Sequence, residues 1–182
     1  MAVSDVHLVV MGVSGVGKTT VGMALAGALG WQYIEGDAFH PDANRRKMAS
    51  GVALTDEDRW PWLDTLVEEL DAGEGSAVLA CSALKLRYRD RLRASRLPVR
   101  FVWLRGSEAL ISERLSERKD HYMPPSLLRS QLDALEPPLA AENVLCIGVD
   151  QPAEILMQSI IEELNLDDPE NLCLVEGSWT VR

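Results

Sequence analysis

Eight residues near the start of the chain, Gly12 to Thr19, read G-V-S-G-V-G-K-T, which is the full G-x-x-x-x-G-K-[ST] spacing of a phosphate-binding loop. Gly15 and Gly17 let the backbone turn its N–H groups inward around a concavity at a helix N-terminus, where an anion can sit. Lys18 is then placed to reach the β- and γ-phosphates of a nucleotide, and the Thr19 hydroxyl offers magnesium an oxygen ligand. The expected nucleotide-contacting residues are Gly12, Val13, Ser14, Gly15, Val16, Gly17, Lys18, Thr19 and Thr20. An apolar run, His7 to Met11, precedes the loop and a helix-like run, Val21 to Leu29, follows it. That strand–loop–helix context separates such a loop from a plain glycine-rich turn.

A phosphate loop alone says nucleotide; the groups facing the γ-phosphate decide the reaction. Glu35-Gly36-Asp37 falls at the C-terminal end of a predicted strand, where ligands bind in open α/β sheets. Asp37 is suited to accept or orient the proton of a substrate hydroxyl, and Glu35 to hold a magnesium-bound water. The other reading of this pair is an acidic turn facing solvent. Farther on, His40, Asn44, Lys47 and Arg59 fall within one helical excursion, a set of donors and acceptors that fits a polyhydroxylated ligand. Trp60 and Trp62 read as core anchors. Arg114 and Arg118, four apart, share a helical face just before His121-Tyr-Met-Pro-Pro125. Their planar forks suit phosphate oxygens, and a lid over about 114–135 would bring Arg118 to the transferring group with Arg114 in support. Two solvent-facing arginines are the alternative.

The elements that must position these groups follow from the alternation of β-branched apolar runs with helical patterns, the signature of a parallel sheet covered on both faces. Strands are expected at about 6–11, 31–35, 76–81, 99–104 and 143–149, and helices at about 18–29, 42–50, 56–72, 85–95, 107–118, 125–134 and 152–164. Gly30 reads as a C-terminal cap, and Asp56 and Ser107 as N-terminal caps. The third strand ends in Ala80-Cys81-Ser82 without an aspartate, so an ordinary Walker B is missing, and Asp150 reads as a helix cap. The absence of an Asn-Lys-x-Asp motif argues against a GTPase.

The 182 residues suit one α/β domain, 1–182. A formal net charge of −10 argues against nucleic acid as a partner, and no apolar run is long enough for a membrane span. The N-terminus has neither the basic segment nor the apolar stretch of a signal peptide, so a cytoplasmic protein is expected. Cys81, Cys146 and Cys173 are widely spaced and odd in number, and read as buried thiols rather than a disulfide framework. The tail at 166–182 has no assigned role.

Taken together, the chain resembles the gluconate kinase family of small P-loop kinases. The likeness runs from Val9 to about Pro138 through Gly12–Thr19, Glu35-Gly-Asp-Ala-Phe-His-Pro41, Asn44-Arg-Arg-Lys-Met48, Leu54-Thr-Asp-Glu-Asp-Arg-Trp-Pro-Trp-Leu63, Cys81-Ser-Ala-Leu-Lys85 with Tyr88-Arg-Asp90, and His121-Tyr-Met-Pro124 with Ser130-Gln131 and Leu135-Glu136. The resemblance implies ATP- and Mg2+-dependent phosphorylation of the 6-hydroxyl of D-gluconate, a three-layer P-loop kinase fold with a five-stranded parallel sheet and a short helical lid, and a homodimer. It departs from the family pattern at Val16, where serine is usual, at Tyr122, where phenylalanine is common, and at Lys119-Asp120 in a variable lid position. Gluconate's carboxylate and hydroxyls are assigned to a subset of His40, Arg59, Lys85 and Arg89, because a carboxylate is best held by a cation. Two rivals stay open: a kinase of another small acceptor, such as shikimate or a nucleoside monophosphate, and a non-catalytic nucleotide-binding regulator.

Overall fold

The computed structural model describes residues 5–117 and 125–166. Five strands form one parallel sheet: β1 (His7–Met11), β2 (Gln32–Glu35), β3 (Ala77–Ala80), β4 (Val99–Arg105) and β5 (Leu145–Gly148). Their spatial order is β2-β3-β1-β4-β5. Around them lie α1 (Lys18–Leu29), α2 (Asp42–Ala49), α3 (Asp56–Ala72), α4 (Leu86–Leu92), α5 (Glu108–Glu117), α6 (Pro125–Ala134) and α7 (Ala153–Leu164). Two short 3-10 turns, Gly36–Phe39 and Ala140–Glu142, were not foreseen from the sequence.

The central strand explains the layering. Every residue of β1 is buried, and its side chains alternate between two cores as the pleat requires. Leu8 and Val10 join Val21 and Leu25 of α1 and Ile160 of α7 on one face. Val9 and Met11 join Leu63 and Leu66 of α3 and Leu92 of α4 on the other. A strand buried on both faces cannot show polar alternation, and so reads as the continuous apolar run seen in the sequence.

Most caps follow local chemistry. Gly30 takes a left-handed conformation, φ 68°, and its N–H donates to the Ala26 carbonyl; Ser107 Oγ accepts the Leu110 N–H at 3.2 Å. Two expectations need correction. Helix α3 is capped one residue earlier than expected, by Thr55: its hydroxyl accepts the Asp58 N–H at 3.3 Å, while the Asp58 carboxylate accepts the Thr55 N–H at 2.9 Å. Asp56 is instead the first helical residue. Asp150 does not cap α7, which begins after Pro152 with no side-chain cap.

Cys81 is buried as expected, and burial pushes its thiol up to about 12, which leaves it inert. Cys146 is exposed instead: on β5 the half-buried Leu145 and Ile147 alternate with an outward-facing Cys146. Cys173 lies outside the described residues. Among the described residues, no helix is long and apolar enough to cross a membrane.

Candidate active site

The phosphate loop leaves β1 and enters α1 with an unusual backbone. Gly12, Gly15 and Gly17 have φ of 139°, 83° and 109°, conformations that L side chains avoid. At Gly12 space is also lacking, because a Cβ would stand 2.8 Å from the Leu104 carbonyl oxygen. The Gly12 N–H donates to Ser82 O at 3.2 Å, tying the loop to the chain just after β3. Lys18 folds back over the loop and donates to Val13 O at 3.2 Å.

Thr19 donates its hydroxyl to Glu35 Oε2 at 2.8 Å, and Tyr33 donates to the same oxygen at 2.7 Å. Burial, aided by the neighbouring Glu35 carboxylate, pushes the Tyr33 hydroxyl well above its ordinary value, so it remains a donor. Hard oxygen donors thus meet at one side of the loop. No cluster of three His, Cys, Asp or Glu exists among the described residues. This donor set fits magnesium, which takes few protein ligands and completes its shell with phosphate oxygens and water.

Two strands away, β2 ends in the 36–39 turn. A side chain at Gly36 would collide with the Ala80 carbonyl oxygen, so the turn packs directly against β3. Trp62 Nε1 donates to Gly36 O at 2.8 Å from the α3 side, fixing where Asp37 emerges. Trp62 is 1% exposed, an anchor as expected, but it also reaches the site.

Between loop and turn lies a cavity of about 480 Å3, within the range that holds a small metabolite. Ser14 and Lys18 line it from the loop, Asp37 and His40 from the turn, Arg45 and Met48 from α2, Arg59 and Trp62 from α3, and Leu127, Ser130 and Gln131 from α6. Asp37, His40, Arg59 and Lys18 therefore converge. Arg59 donates to the carbonyls of Leu54 and Thr55 and sits 5.6 Å from the Tyr88 ring centre. Arg45, whose Nη2 donates to Ala38 O at 2.5 Å, was not singled out from the sequence; nor was Gln131, whose amide oxygen accepts the Ser14 N–H at 2.7 Å.

Other assignments do not hold. Arg89 is 0% exposed, and its fork grips Glu142 at 2.6 and 2.9 Å while Nη1 donates to the carbonyls of Ala83 and Leu84. It is a buried strut and cannot reach a ligand. Lys85 pairs with Asp56 at 2.9 Å, beside Arg87 and Tyr88 on the same carboxylate, and is absent from the cavity wall. Lys47 is likewise spent on Asp58, at 2.7 Å. Arg114 does reach the phosphate loop, but its fork donates to Val16 O at 3.2 Å and Val149 O at 2.7 Å. It staples the loop to the end of β5 rather than pointing into free space. Arg118 and the 121–124 segment lie outside the described residues.

A second cavity, of about 370 Å3, borders the loop among Gly15, Gly17, Thr20, Arg114, Gln151 and Pro152. The phosphate loop thus borders two chambers, one walled by Asp37, Lys18, Arg45 and Arg59, the other by Arg114, Glu117 and Gln151 beside the loop backbone.

A parallel sheet of this order, with a phosphate loop leaving its central strand beside two such chambers, defines a P-loop kinase. The AAA domain family matches residues 8–138. A gluconokinase of Gluconobacter oxydans is 46% identical over 172 residues, covering 92% of this chain and 96% of its own length. Among solved structures, a gluconokinase from Sinorhizobium meliloti superposes with a TM-score of 0.77 at 44% identity, covering 92% of this chain and 99% of its own. An unliganded sugar kinase from Janibacter superposes with a TM-score of 0.85 at 43% identity, over 92% and 98% of the two chains. The chain belongs to the gluconokinase family.

Proposed function

We propose that the protein transfers the γ-phosphoryl group of ATP to the 6-hydroxyl of D-gluconate, giving 6-phospho-D-gluconate and ADP. The observation that carries this reading is the cavity wall: Asp37, Lys18 and the cations Arg45 and Arg59 face one space of metabolite size. An acid to take a hydroxyl proton and cations for a carboxylate, around one space, are what a polyhydroxy acid requires.

The loop's N–H groups and Lys18 hold the phosphates, and the second cavity takes the rest of the nucleotide. Magnesium held by Thr19 and Glu35 would neutralise charge on the β- and γ-phosphate oxygens. As the hydroxyl oxygen bonds to the γ-phosphorus, the bond to the β–γ bridging oxygen breaks, ADP leaves and the hydroxyl proton passes to Asp37. Arg45 and Arg59 hold the carboxylate in place of Lys85 and Arg89. Arg118 is assigned to supply positive charge to the transferring group.

The test is ADP release by the purified protein with ATP, magnesium and D-gluconate, beside shikimate, AMP, glucose and no acceptor. Gluconate-dependent turnover well above the other arms is expected. Equal or greater turnover with another acceptor, or none with any, overturns the proposal.

A further inference from the structure

His40 is 6% exposed and lies flat on Trp62, with ring centres 4.0 Å apart and planes 17° apart. Its Nδ1 faces Asn44 Nδ2 at 3.4 Å, and its Nε2 stands 3.9 Å from Asp37 Oδ1. The chemistry of this row is set at its far end. The amide group of Asn44, itself 4% exposed, meets the Asp58 carbonyl oxygen at 2.8 Å. A carbonyl only accepts, so Asn44 must turn its NH2 and not its oxygen toward it. The second N–H of that NH2 is then directed at His40 Nδ1, which has to be the bare, accepting nitrogen. A proton on Nδ1 would set donor against donor in a buried place, at a cost of an unmade hydrogen bond. The one remaining ring proton therefore sits on Nε2, toward the cavity.

We propose that His40 is a positioning residue for phosphoryl transfer, locked by Asn44 as the Nε2–H tautomer so that it offers a neutral N–H to one oxygen of Asp37 and leaves the other for the substrate hydroxyl. This rests on the reading of Asp37 as the group that receives the hydroxyl proton. The Asp37 side chain is 66% exposed, free to swing between useful and useless directions, and a small rotation brings Oδ1 within hydrogen-bond reach of Nε2. Burial holds His40 at about 4, against the opposing pull of Asp37 and with help from Arg59 and Arg45. The ring therefore stays neutral at physiological pH and does not compete with Asp37 for the proton. A neutral donor orients the carboxylate while leaving it basic, whereas a cation in the same place would make it a poorer proton acceptor.

The test is a long-range 1H–15N NMR spectrum of the uniformly 15N-labelled full chain at neutral pH, with the His40 signals assigned by their loss in His40→Gln. The expected pattern is a protonated Nε2 with a bare Nδ1. A proton on Nδ1, whether alone or in an imidazolium, overturns the proposal even if the enzyme turns over gluconate as expected. The kinetic arm compares two variants. His40→Gln can place an amide N–H where Nε2 stood, while His40→Phe keeps only the stacked ring. His40→Phe is expected to lose roughly 100-fold in kcat with KM for ATP unchanged, and His40→Gln to recover about tenfold of that loss. Wild-type kcat in a folded His40→Phe overturns the role. Inactivity of the wild type toward gluconate would instead count against the function above, and the NMR result would stand by itself.

Discussion

Gln131 grips Ser14 with both ends of its amide: the oxygen accepts the Ser14 N–H at 2.7 Å, and the nitrogen donates to the Ser14 hydroxyl at 3.1 Å. Helix α6 is thereby pinned to a backbone N–H of the phosphate loop, one of the class of donors that such loops turn toward anions. Gln131 also lines the cavity between the loop and the Asp37 turn. Gln131→Glu places a negative charge against the loop and is expected to weaken ATP binding by roughly tenfold. Titration calorimetry with ATP checks this, and affinity equal to wild type would show that the contact does not bear on the nucleotide.

Asp37→Asn keeps the size and polarity of the side chain but cannot take a proton. A fall of roughly 100-fold or more in kcat is expected, with an unchanged melting temperature because the side chain is exposed. Near-normal turnover in a folded Asp37→Asn protein would remove Asp37 from proton transfer.

Arg45 and Arg89 should separate cleanly. Arg45→Ala is expected to raise KM for gluconate by roughly tenfold to a hundredfold with little change in KM for ATP, because it removes a cation of the cavity wall proposed to hold the carboxylate. Arg89→Met leaves the buried Glu142 carboxylate with only the longer Arg93 contact at 3.4 Å, and a loss of stability of up to about 3 kcal/mol is expected, read by urea unfolding. An Arg89→Met protein of wild-type stability with raised KM for gluconate would reverse these two assignments.

Glu142 also makes stability depend on pH. The Arg89 guanidinium holds its carboxyl at about 2, below the ordinary 4.5. A depressed carboxylate stabilises the fold above the unfolded value and loses that contribution as pH falls toward the folded one. About 3 kcal/mol is expected to be lost between roughly pH 5 and pH 2. Urea midpoints measured across this window should fall steeply in the wild type and less so in Glu142→Gln.

Gly36→Ala would drive a methyl group into the Ala80 carbonyl. The turn must shift away from β3, taking Asp37 with it, so kcat should drop while nucleotide binding persists. Fluorescence of Trp62, whose indole nitrogen is bonded to Gly36 O, reports the shift; an unchanged spectrum and unchanged kcat would contradict it.

What was legible in the sequence was what short-range chemistry determines. The phosphate loop is a local device whose glycines, lysine and threonine carry their own geometry, and the strand preceding it announces itself as an apolar run. The place of Asp37 on the cavity wall was readable because strand ends in a parallel sheet are where ligands gather. The arginines were not. Arg59 and Arg89 are the same chemical group, and it is the distant Glu142, 53 residues away, together with the Ala83 and Leu84 carbonyls, that holds one of them inward as a strut. Arg45 sat in the matching segment Asn44–Met48, but which of its basic residues faces the cavity depends on how α2 packs, and Lys47 is claimed by Asp58. Gln131 was visible as part of a matching segment, yet nothing in its neighbourhood could say that it bonds Ser14, 117 positions earlier. The tautomer of His40 is likewise a property of a chain of contacts that closes only in three dimensions.

Phosphate loop and Asp37 turn emerge from β1 and β2, and β3 lies between them. The two segments are thus rooted two hydrogen-bonded strand spacings apart, roughly 10 Å of backbone lattice, a ruler made of main chain. The walls contributed by α2, α3 and α6 can be rebuilt around that fixed gauge. Redesign toward another sugar acid is therefore a problem of re-lining the chamber, with the reach of the transfer already decided by the order of three strands.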